Sequence, residues 1–87
     1  MFRVVVHRKA TQELKRLKKA HLKKFGVLLE TLKTDPIPWK RFDVKKIEGE
    51  ENTYRIRIGD FRVIYFLDKP TKTVHILKVE RRGKVYD

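Results

Sequence analysis

The hydrophobic residues of this 87-residue chain change their spacing at a proline-containing segment, Asp35-Pro36-Ile37-Pro38. Before it, residues of one predicted helix face recur every three or four positions: Leu14, Leu17, His21, Phe25, Leu28 and Leu32. After residue 43 the apolar residues alternate with polar ones, as they do in strands. Proline lacks a backbone N–H and disfavours helical backbone in the residue before it, so a helix must end here. The chain is therefore predicted to be helical first and then rich in strands.

The first half contains a short strand and a long helical pattern. Phe2, Val4 and Val6 alternate with Arg3, Val5 and His7, which predicts a strand with one apolar face. The helical pattern then covers about residues 9 to 34. A single helix of that length would measure about 39 Å, whereas a domain of this size has a radius of gyration of about 12 Å. Two helices with a break near Ala20 would be more compact, but periodicity alone leaves both arrangements open.

The second half is predicted to be an antiparallel meander. Asp43–Glu48 is the first expected strand, and residues 49–52 form a polar turn. Residues 54–58 and 61–67 flank Gly59-Asp60, a pair suited to a two-residue hairpin loop, and a last strand covers residues 74–79. The order of elements predicts one α+β domain over residues 1–87, with the helices on one face of the sheet.

The net charge points to a polyanionic partner. Lys and Arg number 23 against 11 Asp and Glu, a formal charge of +12, and residues 1–46 carry 14 of the basic side chains. Nucleic acid is the first candidate for such a surface. A disordered basic tail is excluded, because 40% of the residues are hydrophobic. With no cysteine and no long apolar run, we expect no disulfide, no membrane span and a cytoplasmic location.

Arg55, Arg57 and Arg62 form the most informative cluster. Alternation places Arg55 and Arg57 on one face, and a two-residue hairpin returns Arg62 beside them. Guanidinium groups packed together repel one another unless an anion binds, and phosphate fits their paired donors. The alternative is a solvated polar face. Carboxylates are few and mostly in expected turns, and no phosphate loop, nucleophile elbow or His-x-x-x-His pair occurs, so we expect neither a metal nor a cofactor.

Two segments resemble the RelE/ParE toxin superfamily of toxin–antitoxin systems, particularly its RelE-type ribosome-dependent mRNA interferases. They are residues 54–65, Tyr-Arg-Ile-Arg-Ile-Gly-Asp-Phe-Arg-Val-Ile-Tyr, and residues 79–86, Val-Glu-Arg-Arg-Gly-Lys-Val-Tyr. The first strand and the basic helical segment extend the resemblance to the whole chain. It implies a helical hairpin, a RelB-like antitoxin as partner in a hetero-oligomer, and metal-free cleavage of mRNA in the ribosomal A site by the RNA's own 2′-hydroxyl.

The resemblance also implies the catalytic residues. The family's basic strand residues match Arg55 and Arg57, and its later arginines and terminal tyrosine match Arg62, Arg82 and Tyr86. Some relatives carry Lys where this chain has Arg55 and Arg57. Because arginine does not release its proton at accessible pH, Tyr86 is the better candidate for the general base. Neighbouring guanidinium groups would lower the pKa of its phenol from about 10.

Other basic and aromatic residues have two interpretations each. Lys15, Lys19 and Lys23 lie on a helix face that is either solvated or docks on ribosomal RNA, and Arg81, where many relatives have His, is grouped with them as RNA-binding. His7, His21 and His75 are far from the arginines in sequence and are expected to be structural or exposed. Trp39 is expected to anchor the following segment over the sheet, with stacking on an RNA base as the alternative.

Two other functions remain open from sequence. A ParE-like toxin would act on a protein, DNA gyrase, without cleaving RNA. A passive RNA-binding module would share the basic composition and the antiparallel sheet. The arginines together with a terminal tyrosine favour the nuclease.

Overall fold

Five strands and two helices follow one another in the order that the sequence pattern predicts. The structure is a computed structural model that describes residues 1–81. The elements are β1 (Arg3–Val6), α1 (Arg8–Leu14), α2 (Lys19–Thr34), β2 (Asp43–Lys46), β3 (Thr53–Ile58), β4 (Phe61–Asp68) and β5 (Thr73–Arg81). The predicted α+β class is confirmed. Two predicted catalytic residues, Arg82 and Tyr86, lie outside the described residues.

The helical pattern is divided into two helices, so the single long rod is wrong. The break falls at residues 15–18, shortly before Ala20, which lies inside α2. The N–H groups of Arg16 and Leu17 bond to carbonyls three residues earlier, at 3.0 and 3.1 Å, a tighter turn than the α-helix. Lys18 then adopts extended backbone with ψ of 158° and redirects the chain. The break lets both helices fit a molecule whose longest extent is 34 Å, whereas one straight helix over the same residues would measure about 39 Å.

The sheet has the strand order β1-β5-β4-β3-β2. Strands β2 to β5 form the predicted antiparallel meander, while β1 pairs in parallel with β5 and makes the sheet mixed. Helix α1 packs against β5, and α2 packs against β1 and β3. Phe25, Leu28 and Leu32 of α2 join a core with Phe61 and Tyr65 of β4. The opposite face of the sheet is consequently left without a helix in the described part of the chain.

Trp39 does not anchor its segment as predicted, because 58% of its surface is exposed. The neighbouring Pro38 is fully buried instead, and the hydroxyl of Tyr65 donates a 2.7 Å hydrogen bond to the carbonyl of Pro36. Proline and backbone carbonyl therefore hold this segment to the sheet. Over residues 1–81, neither helix has the length and hydropathy that crossing a lipid bilayer requires.

Candidate functional site

Arg57 and Arg62 lie directly opposite each other in the β3–β4 hairpin. Arg55 lies two residues earlier on the same face, while Ile56 and Ile58 point into the core. Gly59 has a φ of +58°, a value that suits glycine and allows the tight two-residue loop. The predicted arginine cluster is therefore assembled by local hairpin register, on the face of the sheet that the helices do not cover.

Two carboxylates flank the arginines, and sequence reasoning missed both. Asp43 lies opposite Arg57 on β2, and Glu80 lies opposite Arg62 on β5. Asp43 Oδ1 accepts a 3.2 Å hydrogen bond from Arg55, whereas Glu80 pairs with Lys78 at 3.0 Å. Both carboxylates lie on strands that are distant from Arg57 and Arg62 in sequence or separated from them by a turn, and sheet pairing brings them to the cluster. Only strand register could have revealed them.

The arginines differ in their surroundings. The Arg55 side chain is only 15% exposed, and its Nε is buried without a hydrogen-bond acceptor among the described residues. A buried donor without an acceptor costs about 1–3 kcal/mol. For Arg57 and Arg62, in contrast, residues 1–81 provide no carboxylate within ion-pair distance. These two guanidinium groups are the ones best placed to bind an anion.

A groove of about 410 Å³ runs along the uncovered face beside the arginines. Its charged lining residues are Glu50, Arg55, Arg62, Lys78 and Glu80, and its apolar lining residues are Ile47, Ile64 and Leu77. Charged donors beside an apolar floor suit a ligand that has both an anionic and a flat apolar part. Nucleotides have this composition.

The lysines and Arg81 are placed on the helix side of the sheet. Lys15 lies in the turn between the helices, Lys19 and Lys23 lie on α2, and all three are exposed. Arg81 pairs with the buried Phe61, so the register assigns it to the face opposite that of Arg62. The structure thus separates the predicted RNA-binding residues from the arginine cluster by the thickness of the sheet.

His21 connects these two basic surfaces. Its Nε2 lies 3.6 Å from Asp60 Oδ1, and its ring packs on Phe61 with the centroids 5.3 Å apart. A Cβ atom on Gly59 would approach His21 Nε2 to 3.3 Å, so the imidazole rests directly on the hairpin turn. His7 and His75 meet elsewhere, with Nε2 and Nδ1 2.9 Å apart. His21 supports the hairpin that carries the arginines, a role visible only in the fold.

The described tyrosines are buried in the core. Burial raises the pKa of Tyr65 well above its ordinary value, with smaller contributions from Tyr54 and Asp35. Its hydroxyl is also held by the Pro36 carbonyl at 2.7 Å. Tyr54 stacks on Tyr65 with the ring centroids 5.6 Å apart. Neither phenol is placed to exchange a proton with a ligand on the arginine face.

Known proteins are similar to this chain over almost its whole length. The family model described as ParE toxin of type II toxin-antitoxin system, parDE, matches residues 4–86. A curated protein of Methanocaldococcus jannaschii named toxin RelE1 is 44% identical over 85 residues, which cover 98% of this chain and 94% of that protein.

Solved structures match over nearly the whole chain. The toxin chain of the archaeal RelE–RelB complex from Pyrococcus horikoshii is 38% identical, with a TM-score of 0.86 and coverage of 97% of this chain and 98% of that one. A RelB–RelE complex from Methanococcus jannaschii matches with a TM-score of 0.83 at 24% identity, covering 95% of each chain, and shows the shared fold. The protein therefore belongs to the RelE/ParE family of toxins of type II toxin–antitoxin systems.

Proposed function

We propose that this toxin is a ribosome-dependent endoribonuclease that cleaves mRNA in the A site and so inhibits translation. The attacking group is the 2′-hydroxyl of the RNA, which displaces the adjacent 5′-oxygen from phosphorus. One product then ends in a 2′,3′-cyclic phosphate and the other begins with a 5′-hydroxyl. The observation that carries the proposal is the Arg57–Arg62 cross-strand pair, with no carboxylate partner in residues 1–81.

The arginine pair suits the charge that develops in this reaction. Negative charge accumulates on the nonbridging oxygens as the 2′-oxygen attacks, and preorganised donors at that place lower the barrier. Arg57 and Arg62 emerge from neighbouring strands of one tight hairpin, so little ordering is needed when the phosphate arrives. Arg55, held by Asp43, adds positive charge beside them. Arg82 completes the set in this proposal.

The proton transfers need a group other than arginine. A guanidinium remains protonated at accessible pH and accepts no proton. Tyr54 and Tyr65 are buried on the other side of the sheet. In this proposal Tyr86 takes the proton from the 2′-hydroxyl, and the surrounding positive charge favours its phenolate. The displaced 5′-oxygen takes a proton from water and becomes the 5′-hydroxyl.

Docking on the ribosome is assigned to the exposed lysines. Lys15, Lys19 and Lys23, together with Arg81, contact phosphates of ribosomal RNA in this proposal, while the arginine face binds mRNA. His21 packs on the hairpin turn between these surfaces and keeps their relative position. The toxin acts in the cytoplasm, where ribosomes are found.

The proposed partner in the resting state is a RelB-like antitoxin that forms a hetero-oligomer with the toxin. Similar toxins from Pyrococcus horikoshii and Methanococcus jannaschii were solved as complexes with RelB. A surface with a charge of +12 suits an acidic or amphipathic chain that folds on binding. Such a chain would cover the arginine face and prevent RNA from reaching it.

Purified ribosomes programmed with a defined mRNA test the proposal. Wild-type toxin should cut at the A-site codon and leave a 2′,3′-cyclic phosphate, identified by end-group analysis. Arg62→Ala should lower the single-turnover rate by roughly 10²-fold to 10³-fold, the usual effect of losing one such donor. Tyr86→Phe should lower it by roughly 10²-fold or more while ribosome binding persists.

Arg41→Ala is the matched control, because Arg41 is exposed in the loop before β2 and lies beside Gly26 and Val27 of α2, outside the groove that Arg55 and Arg62 line. It removes the same charge and should cut at the wild-type rate. A 5′-phosphate on the product would contradict attack by the 2′-hydroxyl. A Tyr86→Phe rate equal to wild type would exclude the phenol as the base.

The ParE description of the matching family model favours a second candidate, inhibition of DNA gyrase. The same toxin preparation should then block supercoiling by gyrase and leave programmed mRNA intact. Ribosome or RNA binding without cleavage and without gyrase inhibition would instead indicate a passive RNA-binding module.

A further inference from the structure

A β-bulge forms the floor of the groove beside the arginines. The pairing of β4 with β5 shifts by one residue between Ile64 and Tyr65, so Ile64 pairs with Lys78 and Tyr65 with Ile76. Leu77 is the extra residue, and 37% of its surface is exposed. Ile76 remains in the core, while Lys78 and Glu80 line the outer groove. Bulges commonly redirect side chains beside functional sites, and this one exposes an apolar side chain in the groove that Arg55 and Arg62 line.

The groove provides two kinds of contact that a nucleotide needs, and its volume admits one. Arg55 and Arg62 supply donors for a phosphate. Ile64 and Leu77 supply apolar surface on which a base can lie. Its volume of about 410 Å³ is in the range of small-molecule sites.

Two carboxylates line the groove, Glu50 in the exposed β2–β3 loop and Glu80 on β5, and phosphate binding does not explain Glu80. A carboxylate opposite Arg62 repels an incoming phosphate, yet Glu80 lies in the groove with its side chain 27% exposed. Lys78 holds its Oε2 at 3.0 Å, and the carboxylate keeps the capacity to accept further hydrogen bonds. Among the groups of an RNA strand, the amino groups of bases are the donors that a carboxylate prefers, as in the pairing of Glu with cytosine N4.

We propose that this groove is a nucleobase subsite in which Glu80 accepts a hydrogen bond from an exocyclic amino group. This proposal rests on the proposed RNA substrate and adds a specificity determinant to it. The base lies against Ile64 and Leu77, and its phosphate contacts Arg55 and Arg62. A comparison of cytosine with uracil isolates the contribution of Glu80 to base preference. The two bases have the same size, but cytosine offers an amino group at C4 where uracil has a carbonyl oxygen that repels the carboxylate.

The test measures binding of the dinucleotides ApC and ApU to the full 87-residue toxin at low salt. Binding is monitored by NMR of the Ile64 and Leu77 methyl groups. ApC should shift both methyl signals and bind about tenfold more tightly than ApU, the scale of one base-specific hydrogen bond. Glu80→Gln should reduce the preference to about twofold or less, because an amide both donates and accepts. This readout needs no ribosome and no cleavage.

Glu51→Gln is the matched control, since Glu51 is exposed in the β2–β3 loop and is not part of the groove lining. It changes the net charge equally and should keep the wild-type preference. Equal affinity of wild type for the two dinucleotides would overturn the subsite, and so would binding that leaves both methyl groups unshifted. A Glu80→Gln variant that keeps the preference for ApC over ApU would exclude Glu80 as the group that recognises the amino group. The wild-type comparison decides even if this variant fails to fold, and cleavage on ribosomes tests the proposed function separately.

Discussion

At the scale of single residues, Tyr65 illustrates how one hydroxyl stabilises a segment that the sequence marks only by its prolines. Tyr65→Phe removes the 2.7 Å hydrogen bond to the Pro36 carbonyl, and we expect the free energy of unfolding to fall by about 1–2 kcal/mol in urea titrations at pH 7. Tyr54→Phe is the control, because no hydrogen bond of its hydroxyl occurs within residues 1–81, and it should change stability less. Because burial raises the pKa of Tyr65, the phenol stays protonated in the folded state at pH values at which it ionises in the unfolded chain. That contribution to stability should be complete below about pH 10 and decline above it, and Tyr65→Phe should lack this decline. Equal stability of the two variants would contradict the assigned hydrogen bond.

At the scale of elements, helix α2 contains a glycine, Gly26, at a position where alanine would also fit. Gly26 lies in the exposed middle of the helix, and a Cβ atom there would meet no atom within 4 Å. Gly26→Ala should therefore raise the free energy of unfolding by about 0.5–1 kcal/mol, because alanine loses less backbone freedom on folding. Gly49→Ala is the matched control. It also meets no atom, but its φ of +81° is strained for alanine, so stability should fall. Urea titrations compare both variants with wild type. A destabilised Gly26→Ala protein would show that the outer face of α2 is not free in solution.

At the scale of the whole molecule, a charge of +12 makes binding to RNA dependent on salt. Changing Lys15, Lys19 and Lys23 to Gln should weaken ribosome binding and reduce the slope of log affinity against log salt by about 2 to 3, since each lost phosphate contact contributes roughly 0.7 to 0.9. A control variant loses the same charge at exposed positions elsewhere: Lys40, Lys46 and Lys69. It should keep most of the slope. Cosedimentation with ribosomes over a salt series measures both. If the variant with Gln at positions 15, 19 and 23 binds ribosomes as before but cuts slowly, these lysines act in cleavage and not in docking. The roles of the two basic surfaces would then have to be exchanged.

Sequence alone determined the parts of this protein that depend on neighbouring residues. Alternation in residues 54–58 and the Gly59-Asp60 loop predicted the hairpin, and with it the juxtaposition of Arg57 and Arg62. The prolines after α2 predicted where the helix ends. These features follow from backbone sterics and turn geometry, which act over a few residues and need no knowledge of the remaining chain.

Tertiary structure alone decided which distant segments share the site. The parallel pairing of β1 with β5, the bulge at Leu77 and the approach of Asp43 and Glu80 to the arginines leave no local signature. The break between the helices was also undecided, since no glycine or proline marks it. The helix break depends on how both helices pack against the sheet. The strand pairings depend on the register that buries apolar surface across the whole domain. That register is a global property, because a shift by one residue turns every side chain of a strand to the other face.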